Sequence, residues 1–111
     1  MSFEQRRKFD YYFLEAIRLK EKGELDAAFD MYSHCLEIDS QSAAVQYEMA
    51  QFYMFLGQTQ KGENLLRKAV SLEPDNYWYK QTLASHYRKR GENELAVGVI
   101  EDIDAEKEKQ Q

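Results

Sequence analysis

The sequence predicts an all-α fold of about six antiparallel helices. Three observations carry that reading. Gly23, Gly57 and Gly91 stand 34 residues apart, twice over. The same order of small and large apolar residues returns around each of them. One proline and five glycines in 111 residues are too few turn formers for a loop-rich β fold.

The returning positions are specific. Seven residues before the glycines stand Ala16, Ala50 and Ala84, and four before them Leu19, Tyr53 and Tyr87. Five after them stand Ala28, Gly62 and Ala96, and nine after them Tyr32, Leu66 and Ile100. A glycine behind a helical run can take the left-handed conformation that ends it. Small residues on both sides of such a turn let two antiparallel helices approach. The large ones fill the space inside the pair and against the next pair.

Each helix follows from this register. The first is expected over about 3–21, opened by Ser2 and Gln5 in a capping-box pattern. The second, over 25–38, follows Gly23 and carries Asp26, Asp30 and Glu37 on one outward stripe. The third, over 43–56, has Ser42 as its N-cap. The fourth, over 59–72, has Gly62 where its counterparts have alanine, so a close helix contact is expected there. On helix propensity alone, Gly62→Ala is expected to be neutral or stabilising, and Gly62→Leu to overpack. The fifth, over 77–90, starts after Pro74 with Asn76 as cap. The sixth, over 93–108, turns polar after Ile103, and a partial self-cap is expected from Asp104 onward. The tail 105–111 has almost no apolar content and is expected to fray. A single domain over 1–111 is expected, with repeats at about 9–42, 43–76 and 77–108.

A 34-residue period with these positions resembles the tetratricopeptide repeat (TPR) family. The repeat from Ala43 to Asn76 matches best, through Met49, Ala50, Tyr53, Gly62, Leu66, Ala69 and Pro74, and departs at Gln46, where the family often has tryptophan. The repeat from Phe9 to Ser42 keeps Tyr12, Ala16, Leu19, Ala28, Tyr32 and Cys35 but departs at Glu15 and Ser40. The third keeps Leu83, Ala84, Tyr87, Ala96 and Ile100 and departs at Lys80. The resemblance implies a right-handed superhelix and a non-enzymatic role in holding a protein or peptide partner.

Composition bounds the function classes. Apolar residues make up 43% and charged residues 32%, which suits a folded soluble chain. A net charge of −5 disfavours nucleic acid as a partner. Charge comes in blocks: residues 1–22 carry six basic and four acidic side chains, 23–56 six acidic and no Lys or Arg, 57–90 seven basic and three acidic, and 91–111 two basic and seven acidic. Solvated helix faces account for most of this, with steering of a charged partner or end-to-end attraction as the alternatives. No apolar stretch is long enough for membrane insertion, and the opening Met1 to Arg7 does not read as a secretory signal. The expected compartment is the cytoplasm, or the periplasm if the chain is cut from a longer exported bacterial protein. The run Arg6 to Phe13 resembles segments of such proteins.

No catalytic constellation stands out. Cys35 occupies the slot of Ala69 and reads as a core residue rather than a reactive thiol. His34 and His86 lie on different types of helix, and the Asp102 and Asp104 pair reads as solvated. No cofactor, metal or catalytic residue is expected.

In the family resembled, ligands lie across a concave surface lined by the first helix of each pair. The matching positions here are Phe13, Ile17, Tyr47, Gln51, Met54, Phe55, Trp78, Gln81, Arg88 and Lys89. They combine an apolar and aromatic floor with positive charge at one end, which fits a ligand carrying an apolar anchor and an acidic group. Part of the aromatic set has packing between neighbouring first helices as its alternative. The carboxylate clamp of the chaperone-tail receptors is absent, since Phe13, Ile17, Glu48, Trp78 and Thr82 hold its positions. The alternative function is structural: a segment of a longer array, or self-association through uncapped repeat ends.

Overall fold

The computed structural model describes residues 1–109, with side chains described as far as Asp102. The expected fraying of 105–111 and the partial cap at Asp104 concern side chains, and in part residues, outside the described set. Six helices follow one another: α1 (Phe3–Glu21), α2 (Leu25–Ile38), α3 (Ala43–Phe55), α4 (Thr59–Leu72), α5 (Tyr77–Lys89) and α6 (Asn93–Lys109). They pack as antiparallel pairs α1–α2, α3–α4 and α5–α6, and α2 joins α3 as α4 joins α5. Among the described residues no helix is long and apolar enough to cross a membrane.

The turns explain the period. Gly23, Gly57 and Gly91 have φ of 82°, 78° and 78°. At each, the glycine N–H donates to the carbonyl three residues back, and the next N–H donates five residues back. The longer bonds are Glu24 to Leu19 at 2.9 Å, Gln58 to Tyr53 at 2.8 Å and Glu92 to Tyr87 at 2.9 Å. This is the Schellman arrangement, which needs a left-handed residue at that one place. Leu56 and Arg90 therefore cap α3 and α5, so these helices end one residue earlier than the sequence suggests.

The starts follow the sequence too. Ser2 Oγ accepts from the Gln5 N–H at 3.1 Å, and Gln5 Oε1 accepts from the Ser2 N–H at 2.9 Å. Ser42 Oγ accepts from the Val45 N–H at 3.4 Å, and Asn76 Oδ1 from the Tyr79 N–H at 3.2 Å.

Ala16, Ala28, Ala50, Ala84, Ala96 and Gly62 are all buried where paired helices touch. Two apolar clusters result. One joins α1 and α2 to the side of α3 that bears Val45, Met49 and Phe52. The other joins α3 through α6 around Tyr47, Leu66, Tyr79, Leu83 and Tyr87. Leu65 packs against both, so the solenoid has one continuous interior. Cys35 is fully buried, and its thiol donates weakly to the Phe9 carbonyl at 3.7 Å. Gln46, in the tryptophan slot, is buried with its amide donating to the Ser40 carbonyl at 3.1 Å. It ties α3 to the loop before it. Ile100 departs from its counterparts: Tyr32 and Leu66 are buried, whereas Ile100 is 37% exposed on the outer side of α6.

Candidate functional site

The first helices α1, α3 and α5 lie side by side, and the spaces between them are the candidate binding surface. The larger space, about 490 Å³, lies between α3 and α5 and is backed by α4. Ala50, Met54 and Leu66 make its apolar floor. Gln51, Thr82 and Ser85 supply neutral polar groups, and His86, Lys89 and Arg90 stand along its basic side. An apolar floor bordered by polar groups that fix orientation is a usual form of a ligand site.

One side of this cleft is anchored by a buried carboxylate. Glu63 Oε1, on α4, lies 2.8 Å from His86 Nε2 and accepts from Arg90 Nη1 at 2.9 Å. Glu63 and His86 are both nine-tenths buried, and Arg90 reaches solvent and also lies 3.5 Å from Glu92. Arg67 lies 3.8 Å from the other Glu63 oxygen. A buried carboxylate needs such partners, because an unpaired charge in the interior is costly. The network fixes how α5 leans on α4 and holds the Arg90 fork at the cleft edge.

A smaller space of about 200 Å³ lies on the other flank of α3, lined by Lys20, Leu25, Glu48, Gln51, Phe52 and Phe55. Gln51 borders both spaces. Here Lys20 Nζ donates to Glu48 Oε2 at 2.8 Å, and the Tyr32 hydroxyl donates to the same oxygen at 3.4 Å. Burial first, and the Glu48 carboxylate second, push the Tyr32 hydroxyl well above its ordinary pKa, so it stays a donor.

The sequence-derived groove residues divide into three groups. Gln51, Met54 and Lys89 line the larger cleft, and Phe55 lines the smaller one. Trp78, Gln81 and Arg88 are exposed on α5 outside the cleft lining. Phe13, Ile17 and Tyr47 are buried or half-buried. Phe13 packs on Phe9 and Tyr32, with ring centres 6.1 and 6.0 Å apart. Tyr47 stacks on Tyr79 at 4.7 Å, and its hydroxyl lies 3.2 Å from Thr82 Oγ1. Tyr47 thus joins α3 to α5 beneath the surface.

His86 and Arg90 were not among those residues. The signal for them lies in the helical spacing of Thr82, His86 and Arg90, four apart on one face of α5. Among the described residues neither histidine hydrogen-bonds to a hydroxyl or thiol, and His34 stacks on Tyr12 at 4.9 Å. No three His, Cys, Asp or Glu side chains among the described residues come together as metal ligands. Burial, with Asp10 adding to it, raises the Cys35 thiol to about 11, so it is protonated at neutral pH.

Residues 19–67, from the end of α1 into α4, match the tetratricopeptide repeat family. That stretch carries tetratricopeptide repeat sequence, and the six paired helices are consistent with three such repeats. No curated protein matches it in sequence. By structure the chain resembles a solved structure titled "Crystal structure of MamA", with a TM-score of 0.81 at 20% identity, over 92% of this chain and 60% of that one. A second, "Crystal structure of MamA protein", gives 0.79 at 20% identity over 92% and 56%. A third, "MamA RS-1 ArsTM double mutant", gives 0.80 at 18% identity over 93% and 58%. The chain thus spans less than two thirds of the length of these structures. At such identity the likeness concerns the fold, and the shared fold is the helix-pair stacking described above.

Proposed function

We propose that this TPR chain is a non-enzymatic interaction module that holds a partner peptide or helix across the α1, α3 and α5 face. The observation that carries this reading is the cleft between α3 and α5. Its Ala50, Met54 and Leu66 floor accepts an apolar side chain, and Lys89 and Arg90 stand where an acidic neighbour of that side chain would reach. Trp78 is four residues ahead of Thr82 and extends the same face of α5 with an exposed aromatic. Exposed aromatic and Met side chains are favoured contacts at such surfaces. The buried Glu63 network keeps the basic edge in place before any partner arrives, which lowers the ordering cost of binding.

A displayed random-peptide library tests this. Selection on the wild type is expected to enrich peptides with an acidic residue beside a large apolar one. Enrichment should be lost on a Gln51→Glu, Lys89→Glu variant, whose two exposed side chains leave the melt like that of the wild type. Trp78→Ala is expected to weaken the selected peptides by roughly 2 kcal/mol while leaving folding almost unchanged. Failure to enrich any motif, or a motif that ignores both variants, refutes the groove reading.

A further inference from the structure

The repeats supply a template for a contact that the described residues leave unfilled. Counted from each repeat's glycine, the sixth residue after it meets the fifth residue before the next glycine. In the first junction Phe29 meets Phe52, with ring centres 6.1 Å apart. In the second, Glu63 meets His86 at 2.8 Å. The residue nine after the glycine belongs to the same junction: Tyr32 lies 5.8 Å from the Phe52 ring and reaches Glu48, nine before the next glycine.

The same positions on the outer sides of α1 and α6 have no neighbouring repeat among the described residues. On α6 they are Val97 and Ile100, which are 51% and 37% exposed, whereas Tyr32 and Leu66 are 0% and 2%. On α1 they are Leu14 and Arg18, with Tyr11 one turn ahead. Tyr11 and Leu14 are 62% and 66% exposed, whereas the Tyr11 counterparts Val45 and Tyr79 are 0% and 8%. Charge is opposite on the two faces. Arg7, Arg18 and the capping Lys22 fall on one stripe with Tyr11 and Leu14, and Glu94 and Glu101 flank Val97 on α6. That is the polarity of the α4 to α5 junction, where the second helix gives the acid and the next first helix gives the bases.

We infer that the outer face of α6 docks on the outer face of α1 of a second copy of this chain, continuing the solenoid head to tail. In the template's register Ile100 then covers Leu14 and Tyr11, Val97 lies along the stem of Arg18, and Glu94 and Glu101 on either side of Val97 meet Lys22 and Arg18. Arg18 is already paired in solvent with Glu15 beside the stripe, so docking must desolvate that pair, and Glu101 supplies a second carboxylate to offset it. Such a contact joins two different surfaces, so it does not close on itself as a symmetric dimer does. Because each junction buries only one helix face on each side, the association is reversible and depends on concentration.

Sedimentation velocity over a wide concentration series tests the inference. The wild-type mass is expected to rise with concentration and to pass that of a dimer. A Tyr11→Glu, Leu14→Glu variant and a Val97→Glu, Ile100→Glu variant should each be folded, since all four side chains are exposed, and each should lower the association constant at least about tenfold. The decisive arm mixes the two. Each retains one intact face, so the mixture is expected to form a heterodimer and stop there. A wild type that stays monomeric throughout overturns the inference, and so does a mixture that stays monomeric. A symmetric dimer that survives either variant also overturns it.

Discussion

Gly62 sits where the packing of α3 against α4 can be tested most directly. A β-carbon at this position would stand 2.9 Å from Met54 Sδ, 3.0 Å from Met54 Cε and 3.0 Å from the Ala50 carbonyl oxygen. Unstrained carbon contacts need roughly 3.5–4.0 Å. Two of the three obstacles belong to the far end of a flexible thioether, which can swing away. The third is backbone of α3 and yields only if the helices part. The structure thus sets a steric cost against the propensity gain on which the expectation of a neutral or stabilising Gly62→Ala rests. Gly62→Ala gains about 1 kcal/mol of helix propensity, and crowding removes a similar amount, so the net change stays within about 1 kcal/mol. Gly62→Leu adds three more carbons to a space already too tight for one, and its expected net cost is about 2 kcal/mol. For a domain of this size that lowers Tm by roughly 10 °C. Thermal and urea melts read both variants, and Met54→Ala supplies the other arm of a double-mutant cycle. Truncating Met54 should relieve part of the crowding, giving a coupling of about 0.5–1.5 kcal/mol. A Leu variant as stable as the wild type, or one indifferent to Met54→Ala, would refute the packing argument.

Other expectations come from single positions. Gly98 lies inside α6, and a methyl group added there would meet nothing within 4 Å, so Gly98→Ala should raise stability by about 0.5–1 kcal/mol in urea melts. Gly91→Ala has equal room but must hold φ near 78°, so it should destabilise by about 1 kcal/mol. Glu63→Ala leaves His86 and Arg90 without their shared acceptor; because Arg90 can turn to solvent, the expected cost is about 1–3 kcal/mol, with the loss falling on the α4 to α5 junction in hydrogen exchange. Cys35 should react with a thiol reagent only as fast as the chain opens. Its thiol titrates at about 11 when folded and near 9.0 when not, so the unfolded chain releases the proton first. Its contribution to stability is therefore complete below about pH 9 and is lost as pH rises through about 11.

The 34-residue period, the three glycines and the caps Ser2, Ser42 and Asn76 determined the helices by themselves. They are local signals: a left-handed turn, an N-terminal acceptor and an apolar face act within a few residues of chain. The pairing of Ala50 with Gly62 and of Ala84 with Ala96 followed as well, because a short turn leaves antiparallel neighbours no other partner. What only the tertiary structure decided is how neighbouring pairs meet. Tyr47 and Trp78 both read as groove aromatics in sequence, yet Tyr47 is buried against Tyr79 and Trp78 is exposed. Glu63, His86 and Arg90 are ordinary polar residues in sequence and become one buried network through a junction spanning 27 residues. Such contacts depend on the lean of one helix pair on the next, which the summed side-chain volumes of the junction fix and no local pattern records.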